Sequence, residues 1–221
     1  MKEKSFKEKS KNFENGSGIN FKSEMKILIA TTNENKLDQF REIFKIHGAD
    51  FELLSLQDVE IFDDVEENAE TLMENAKKKA EYFGKKSSLI SLSDDTGLFV
   101  DALSGAPGLH SKRWHKGSDF DRCLKLQEKL KHIPEKERTC RYIGALAIYN
   151  PENDEFFEFE NKAEGYITDD FRGEADFGYD KIFHSLHFGK NYAQLSEKEK
   201  AQISHRGLGI KKYLDSLKKN E

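Results

Sequence analysis

The sequence predicts an α/β fold built on a mixed β-sheet with flanking helices. Three observations carry this. Short apolar strand patterns alternate with 3.6-residue helical patterns through the first half of the chain. Two strand patterns separated by a tight polar turn form a hairpin in the second half. Polar turns follow the early strands, as in sheets whose strands lead into helices.

The first strand is expected over Lys26–Ala30, followed by the turn Thr31-Thr32-Asn33-Glu34-Asn35-Lys36. Leu37, Phe40, Ile43 and Phe44 then recur on one helical face, and Gly48 ends that helix. A strand over Phe51–Leu56 comes next. A second helix covers 68–83, with Leu72, Ala76 and Phe83 on its apolar face and Gly84 closing it. Leu89–Leu92 reads as a strand, Asp94-Asp95-Thr96-Gly97 as the turn after it, and Gly105-Ala106-Pro107-Gly108 as a loop. Asp121–Lys131 is a third helix. Arg141–Tyr149 and Glu155–Glu160 are the hairpin strands, joined by the turn Asn150–Asp154. A loop carrying Gly173 and Gly178 follows. Ser196 and Glu199 have capping-box spacing and start a helix near Glu197. Ile210, Tyr213, Leu214 and Leu217 mark a final helix, and there is no internal repeat.

Residues 1–24 are polar and lack any hydrophobic period, so they read as a flexible extension before a single domain spanning 25–221. No run approaches the ~18 apolar residues of a membrane span, and the longest apolar run near the start is Ile27–Ala30. A cytoplasmic protein is expected. The 36 basic against 41 acidic residues give a net charge of −5, which argues against broad nucleic-acid binding but not against a local basic pocket. Cys123 and Cys140 lack metal-ligand spacing and read as reduced thiols.

Four constellations bear chemistry, each with a structural alternative. Thr31–Lys36 lies where amides at a helix start, hydroxyl and amide side chains and Lys36 would grip a phosphate; it also suits an Asn-capped helix and lacks the glycines of a Walker A loop. Lys79 falls near Leu72 on the apolar face of its helix, so it needs either an anionic partner, with Glu66 and Glu67 nearby in sequence, or an escape along its own stem. Asp94-Asp95 offers hard oxygens of the kind Mg²⁺ prefers, or a turn role. Ser204-His205-Arg206 sits ahead of the last helix. Ser204 is a candidate cap, and no nucleophile elbow surrounds it, which excludes a serine hydrolase.

Taken together, Ala30–Lys36, Ser93-Asp94-Asp95-Thr96-Gly97-Leu98, Gly105-Ala106-Pro107-Gly108, Phe177-Gly178-Tyr179-Asp180 and Ser204-His205-Arg206-Gly207 resemble, in order, the blocks of the Ham1/RdgB-like inosine and xanthosine triphosphatases, which clear non-standard purine nucleotides. The resemblance spans residues 25 to about 217. It implies two lobes around a nucleotide-binding cleft, Mg²⁺ as cofactor, a homodimer, and cleavage of the triphosphate to monophosphate and pyrophosphate. By the same resemblance Thr31, Thr32, Asn33, Glu34, Asn35 and Lys36 would hold the triphosphate, with Thr96 beside them. Glu67 and Asp95 would hold the metal, with Glu66 an off-by-one alternative, and Asp95 would serve as base for the attacking water. Lys36 and Lys79 would be catalytic cations. Lys200 would contact phosphate or nucleoside, Phe177, Gly178, Tyr179 and Asp180 would frame base and sugar, and His205 and Arg206 would read the base edge. Lys181 departs from the proline usual after the Phe-Gly-Tyr-Asp block. Rival readings are a pyrophosphatase for modified pyrimidine nucleotides, a non-hydrolysing nucleotide sensor, and a nucleic-acid module resting on the lysine-rich C-terminal tail.

Overall fold

The computed structural model describes residues 21–174 and 177–219. Its sheet is mixed, as expected. β1 (Phe21–Ile29) pairs in parallel with β2 (Ala49–Leu54) and with β3 (Ile90–Val100). All later pairings are antiparallel: β4 (Pro107–Gly108) and β5 (Thr139–Asn150) on β3, then β6 (Glu155–Ile167), β7 (Phe183–Ser185) and β8 (Lys190–Asn191) in turn. The hairpin registers Tyr149 against Phe156. β1 begins at Phe21, where Phe21 and Lys22 pair with Ala49 and Asp50, so residues 21–24 belong to the strand and not to an extension. The remainder of the expected extension, residues 1–20, lies outside the described residues.

The helices are α1 (Glu34–Ile46), α2 (Leu72–Ser87), α3 (Asp119–Leu130), α4 (Glu197–Ile203) and α5 (His205–Lys219). The two-residue period of the strands assigns their partners. Ile27, Ile29, Leu92, Leu146 and Ile148 face one side, where Phe40, Ile43 and Phe44 of α1 meet Ile210, Tyr213 and Leu214 of α5. Ala145, Ala147 and Tyr149 face the other, under Leu72, Ala76 and Ala80 of α2. A further cluster forms at the far ends of the long strands. There Leu98, Val100, Tyr142 and Ile167 pack with Leu126 and Leu130 of α3 and with Tyr179, Phe183 and Tyr192.

Two further expectations are overturned. The turn expected at Asp94–Gly97 does not exist. β3 runs straight through it, because Asp94, Asp95, Thr96 and Gly97 all find ladder partners, from Leu146 to Ile143. Gly97 there serves close packing, since a Cβ on it would stand 2.5 Å from the Gly108 carbonyl oxygen of β4. Gly84 likewise does not close α2, which continues to Ser87 and ends on Ser88 in the left-handed region. Gly84 lies against β5, where an added Cβ would stand 2.6 Å from a ring carbon of Tyr149. The capping box at Ser196 and Glu199 is present as expected.

Gly84→Ala therefore sets helix propensity against packing. Alanine gains about 1 kcal/mol in a helix interior, whereas overpacking costs about 1–3 kcal/mol. A net loss of stability is expected in urea unfolding. A stabilised variant would mean that Tyr149 moves aside freely.

Candidate active site

The turn after β1 is built by its own side chains. Thr31 Oγ1 accepts from the Asn33 amide at 3.2 Å, and Asn33 caps α1 by accepting from the Lys36 amide at 3.3 Å. This turn opens onto a cleft of about 670 Å³. Thr31, Thr32, Asn33, Asn35 and Lys36 line the cleft, and Glu34 does not. Glu34 instead points to solvent in the first turn of α1, where a carboxylate complements the helix dipole.

Beneath the cleft, successive strand residues face opposite sides of the sheet, and this separates the two aspartates expected to act as a pair. Asp94 turns toward α1 and α5. It is 2% exposed and surrounded by cations. Arg206 donates to Asp94 Oδ2 from Nε at 2.9 Å, with Nη2 at 2.7 Å, and Lys36 Nζ stands 3.0 Å from Oδ1. Thr96 Oγ1 donates to Oδ2 at 3.2 Å. Burial opposes ionisation of Asp94, but the Arg206 guanidinium, Lys36 and Lys79 overcome it and hold the carboxyl well below the usual range. Asp94 is thus a counter-ion inside the protein. Lys36 is itself pushed down by burial, with Asp94 opposing.

Asp95 turns the other way and lines the cleft. Asn75 donates to its Oδ2 at 3.0 Å and the Thr96 amide to its Oδ1 at 2.9 Å. Burial raises its pKa, and the negative charge of Glu67 adds to that. Lys79, buried on α2 as its position on the apolar face implied, does find partners. Its ammonium donates to Glu67 and, at 2.9 Å, to the Asp94 carbonyl oxygen. Burial pushes Glu67 up, and Lys79 more than reverses this, so its pKa lies below the ordinary value. Glu66 lies at the exposed edge of the cleft and accepts from the Asn68 side chain, whereas Glu67 is the glutamate that meets Lys79 and Asp95. No group of three or more His, Cys, Asp or Glu side chains gathers at metal-binding distance among the described residues.

The opposite wall is the segment Phe177–Asp180. The Arg206 guanidinium lies 5.6 Å from the Phe177 ring centroid and 5.9 Å from that of Phe40. Gly178 has φ +56, and its amide donates to Asp119 at 2.7 Å. The Tyr179 hydroxyl donates to the Ser111 carbonyl at 3.0 Å, and its amide donates to the Tyr142 hydroxyl at 3.1 Å. Asp180 is buried. Tyr142 donates to it at 3.3 Å and Lys200 stands 3.8 Å away, yet burial still lifts its pKa to about 6. His205 pairs through Nε2 with Thr96 Oγ1 at 2.9 Å, and burial with the charge of Arg206 keeps it neutral. Its ring occupies the space that a Cβ at residue 144 would fill, 2.1 Å from the ring, so β5 must carry glycine there. Ser204 caps α5 by accepting from the Gly207 amide at 3.0 Å.

The cleft therefore gathers Thr31, Thr32, Asn33, Asn35, Lys36, Glu67, Lys79, Asp95, Thr96, the Phe177–Asp180 wall, Lys200, His205 and Arg206. Several contributors escaped the sequence reading. Gln39 accepts from Arg206 Nη1 at 2.9 Å, and it follows Lys36 by three residues on one helical face. Asn75 precedes Lys79 by four, again one face. Both spacings were readable. Gly144 and Tyr142 carried no such signal.

The fold and the site define an α/β protein whose cleft sets cations and the neighbouring carboxylates of Glu67 and Asp95 opposite an aromatic wall, an arrangement suited to a phosphorylated ligand. The chain belongs to the Ham1 family, whose profile matches residues 27–216. It is 39% identical over 194 residues to the dITP/XTP pyrophosphatase of Bacillus cereus, covering 86% of this chain and 94% of the relative. It is 36% identical over 195 residues to the enzyme of the same name from Thermus thermophilus, covering 88% and 92%. The solved Ham1 protein of Staphylococcus aureus superposes with a TM-score of 0.76 at 33% identity, over 89% of this chain and 100% of that one. The Coxiella burnetii HAM1 protein gives 0.76 at 30%, over 88% and 99%.

Asp180 supplies a pH test. Its pKa is raised from 3.8 to about 6, so the folded state binds its proton more tightly. The stability this contributes is full below pH ~3.8 and is lost as pH rises through about 6. Asp180→Asn removes that titration. The variant is expected to gain stability relative to wild type as pH rises from about 4 to about 6, read from urea midpoints. A constant difference across that range would show that Asp180 ionises with its ordinary pKa.

Proposed function

We propose that this chain hydrolyses the triphosphates of inosine, deoxyinosine and xanthosine to the monophosphate and pyrophosphate, removing them from the nucleotide pool. The observation that carries the reading is the placement of Asp95 and Glu67 beside Lys79 and Lys36 in one cleft, facing an aromatic wall. The relatives named dITP/XTP pyrophosphatase support deoxyinosine and xanthosine triphosphates among these substrates.

Glu67 and Asp95 stand together in the cleft with no third ligand gathered beside them among the described residues, which fits Mg²⁺, since that ion keeps several waters and is held by one or two carboxylates together with substrate phosphates. Glu67 and Asp95 would hold it. When bound, the ion neutralises phosphate charge and lowers the pKa of a coordinated water.

The residues of the chain do the rest. Asp95, made more basic by burial, takes a proton from the attacking water. The water oxygen bonds to the α-phosphorus, the bond from that phosphorus to the bridging oxygen breaks, and its electron pair leaves with pyrophosphate. Lys36 and Lys79, with the amides of the turn after β1 and the side chains of Thr31, Thr32, Asn33 and Asn35, stabilise the charge that develops on the leaving group. Asn75 and the Thr96 amide fix the Asp95 carboxylate so that one orientation serves the reaction.

Phe177 and Tyr179 frame the base, with Asp180 and Lys200 beside them. Arg206 has five N–H donors and no acceptor. Asp94 and Gln39 engage part of the fork, and the remaining donors suit the carbonyl at position 6 of hypoxanthine or xanthine, where adenine carries an amine. A cytoplasmic homodimer belongs to the same proposal.

The test is a substrate panel with Mg²⁺, assayed separately for pyrophosphate and orthophosphate. Pyrophosphate with monophosphate is expected from inosine and xanthosine triphosphates, and far less from ATP. Asp95→Asn is expected to lower kcat by at least about 10²–10⁴-fold with the fold retained. Orthophosphate release with accumulating diphosphate would overturn the site of attack, and near-normal turnover by the variant would overturn the role of Asp95.

A further inference from the structure

α3 stands beside the cleft, and one of its faces grips a single segment of chain. Asp119, Cys123 and Gln127 follow one another at four-residue spacing, which places them on one helical face. Gln127 Nε2 donates to the carbonyls of Thr168 and Asp169, at 2.8 Å each. Cys123 Sγ donates to the Gly178 carbonyl at 3.4 Å, and Asp119 Oδ2 accepts from the Gly178 amide at 2.7 Å. Phe120, next to Asp119, packs on Phe171 with ring centroids 4.8 Å apart. One helix thus holds the chain at Thr168, at Phe171 and again at Gly178 within the aromatic wall.

The wall itself is a tight turn. The Asp180 amide donates to the Phe177 carbonyl at 3.1 Å, and Gly178 takes a left-handed φ of +56 inside it. The second half of the turn is fixed from the sheet, since the Tyr142 hydroxyl of β5 accepts from the Tyr179 amide and donates to Asp180. The first half depends on the helix. Among the described residues, the hydrogen bonds that reach Gly178 come from α3 alone.

Those two bonds fix the peptide planes on either side of Gly178, and the first plane carries the Phe177 carbonyl. A thiol is a weak donor, so the Asp119 carboxylate is the stronger hold. Arg122, three residues on, pairs with Asp119 and donates from Nη1 to the Gly117 carbonyl at 2.8 Å, which keeps the carboxylate aimed at the turn. Phe177, whose ring lies beside the Arg206 guanidinium, is therefore placed by a charge on a neighbouring helix.

We infer that Asp119 is a positioning residue for nucleoside recognition: by holding the Gly178 amide it keeps the Phe177 ring where the base packs. Asp119 borders the cleft, but its carboxylate is engaged by Gly178 and Arg122, so it acts through the wall and not on the phosphates. The inference rests on the proposed function for the identity of the ligand, and its readout is separate from turnover.

Asp119→Ala removes the acceptor, whereas Asp119→Asn keeps an oxygen that can accept the same amide. The Ser118 and Asp121 capping box that starts α3 is untouched in both. Calorimetry with Mg²⁺ present would use two probes, inosine monophosphate for the nucleoside end and inorganic pyrophosphate for the phosphate end. Asp119→Ala is expected to weaken monophosphate binding about 5- to 20-fold, as fits loss of one charge-assisted hydrogen bond, and to leave pyrophosphate binding within about 2-fold. KM for inosine triphosphate should rise by a similar factor, with kcat changed far less. Asp119→Asn should retain most of the wild-type affinity. Gln127→Met, outside the cleft lining, removes the hold on Thr168 and Asp169 and should move the two probes in the same unequal way by a smaller factor.

Monophosphate and pyrophosphate affinities that fall together in Asp119→Ala would mean that Asp119 serves the fold at large. Unchanged affinity for both, or an Asp119→Asn as weak as Asp119→Ala, would equally overturn the inference. If Asp119→Ala does not fold, the same comparison in Gln127→Met decides. A wild type whose monophosphate binding depends on Asp119, yet which releases no pyrophosphate from inosine triphosphate, would instead overturn the proposed activity and leave the positioning role standing.

Discussion

Burying an ionised carboxylate costs several kcal/mol unless cations and hydrogen bonds replace its water. Asp94 meets that condition with Arg206 from α5, Lys36 from α1 and the Thr96 hydroxyl from its own strand. Arg206 and Lys36 lie far from Asp94 in sequence, so ionising Asp94 requires two helices and the centre of the sheet to arrive in register. The arrangement fixes where Lys36 stands above the turn after β1. It also holds the Arg206 guanidinium close to both the Phe40 and the Phe177 ring. Lys79 is drawn in as well, through the Asp94 carbonyl. The cleft cations are thus preorganised before a ligand enters, which is what stabilising a developing anion requires.

The alternation of a single strand divides the work. Asp94 faces the helices and stays ionised as a counter-ion. Asp95, one residue on, faces the cleft and is made more basic by burial and by Glu67. Neighbouring carboxylates with opposite displacements from the same reference pKa suit different tasks, one structural and one chemical. Had the chain turned at this point, as its residue types suggest, both carboxylates would have shared a loop and repelled each other.

Much of this was legible in the sequence. The helical faces of α1 and α5, the hairpin, the Asn33 and Ser196 caps and the burial of Lys79 all follow from local periodicity and capping chemistry. What failed was decided at a distance. Asp-Asp-Thr-Gly has the composition of a turn, and only the ladder offered by β5 makes it a strand. Gly84 has the look of a helix stop, and only the Tyr149 ring from another strand explains why the helix continues through it. Arg206 is legible as a site residue, but its engagement with Asp94 depends on packing α5 against β3, which no spacing along the chain reveals. Gln39 and Asn75 stand at helical spacing from Lys36 and Lys79, but an uncharged side chain carries no sign of the guanidinium or carboxylate it will meet.

The claim that Asp94 and Arg206 act as one unit is open to a double-mutant cycle. Asp94→Asn, Arg206→Gln and the double variant would be compared by urea unfolding at neutral pH. Removing either partner from a buried pair is expected to cost about 3–5 kcal/mol. The double variant should cost less than the sum of the two by at least ~1 kcal/mol, because the second removal no longer strands a buried charge. Strict additivity of the two single losses would contradict the account.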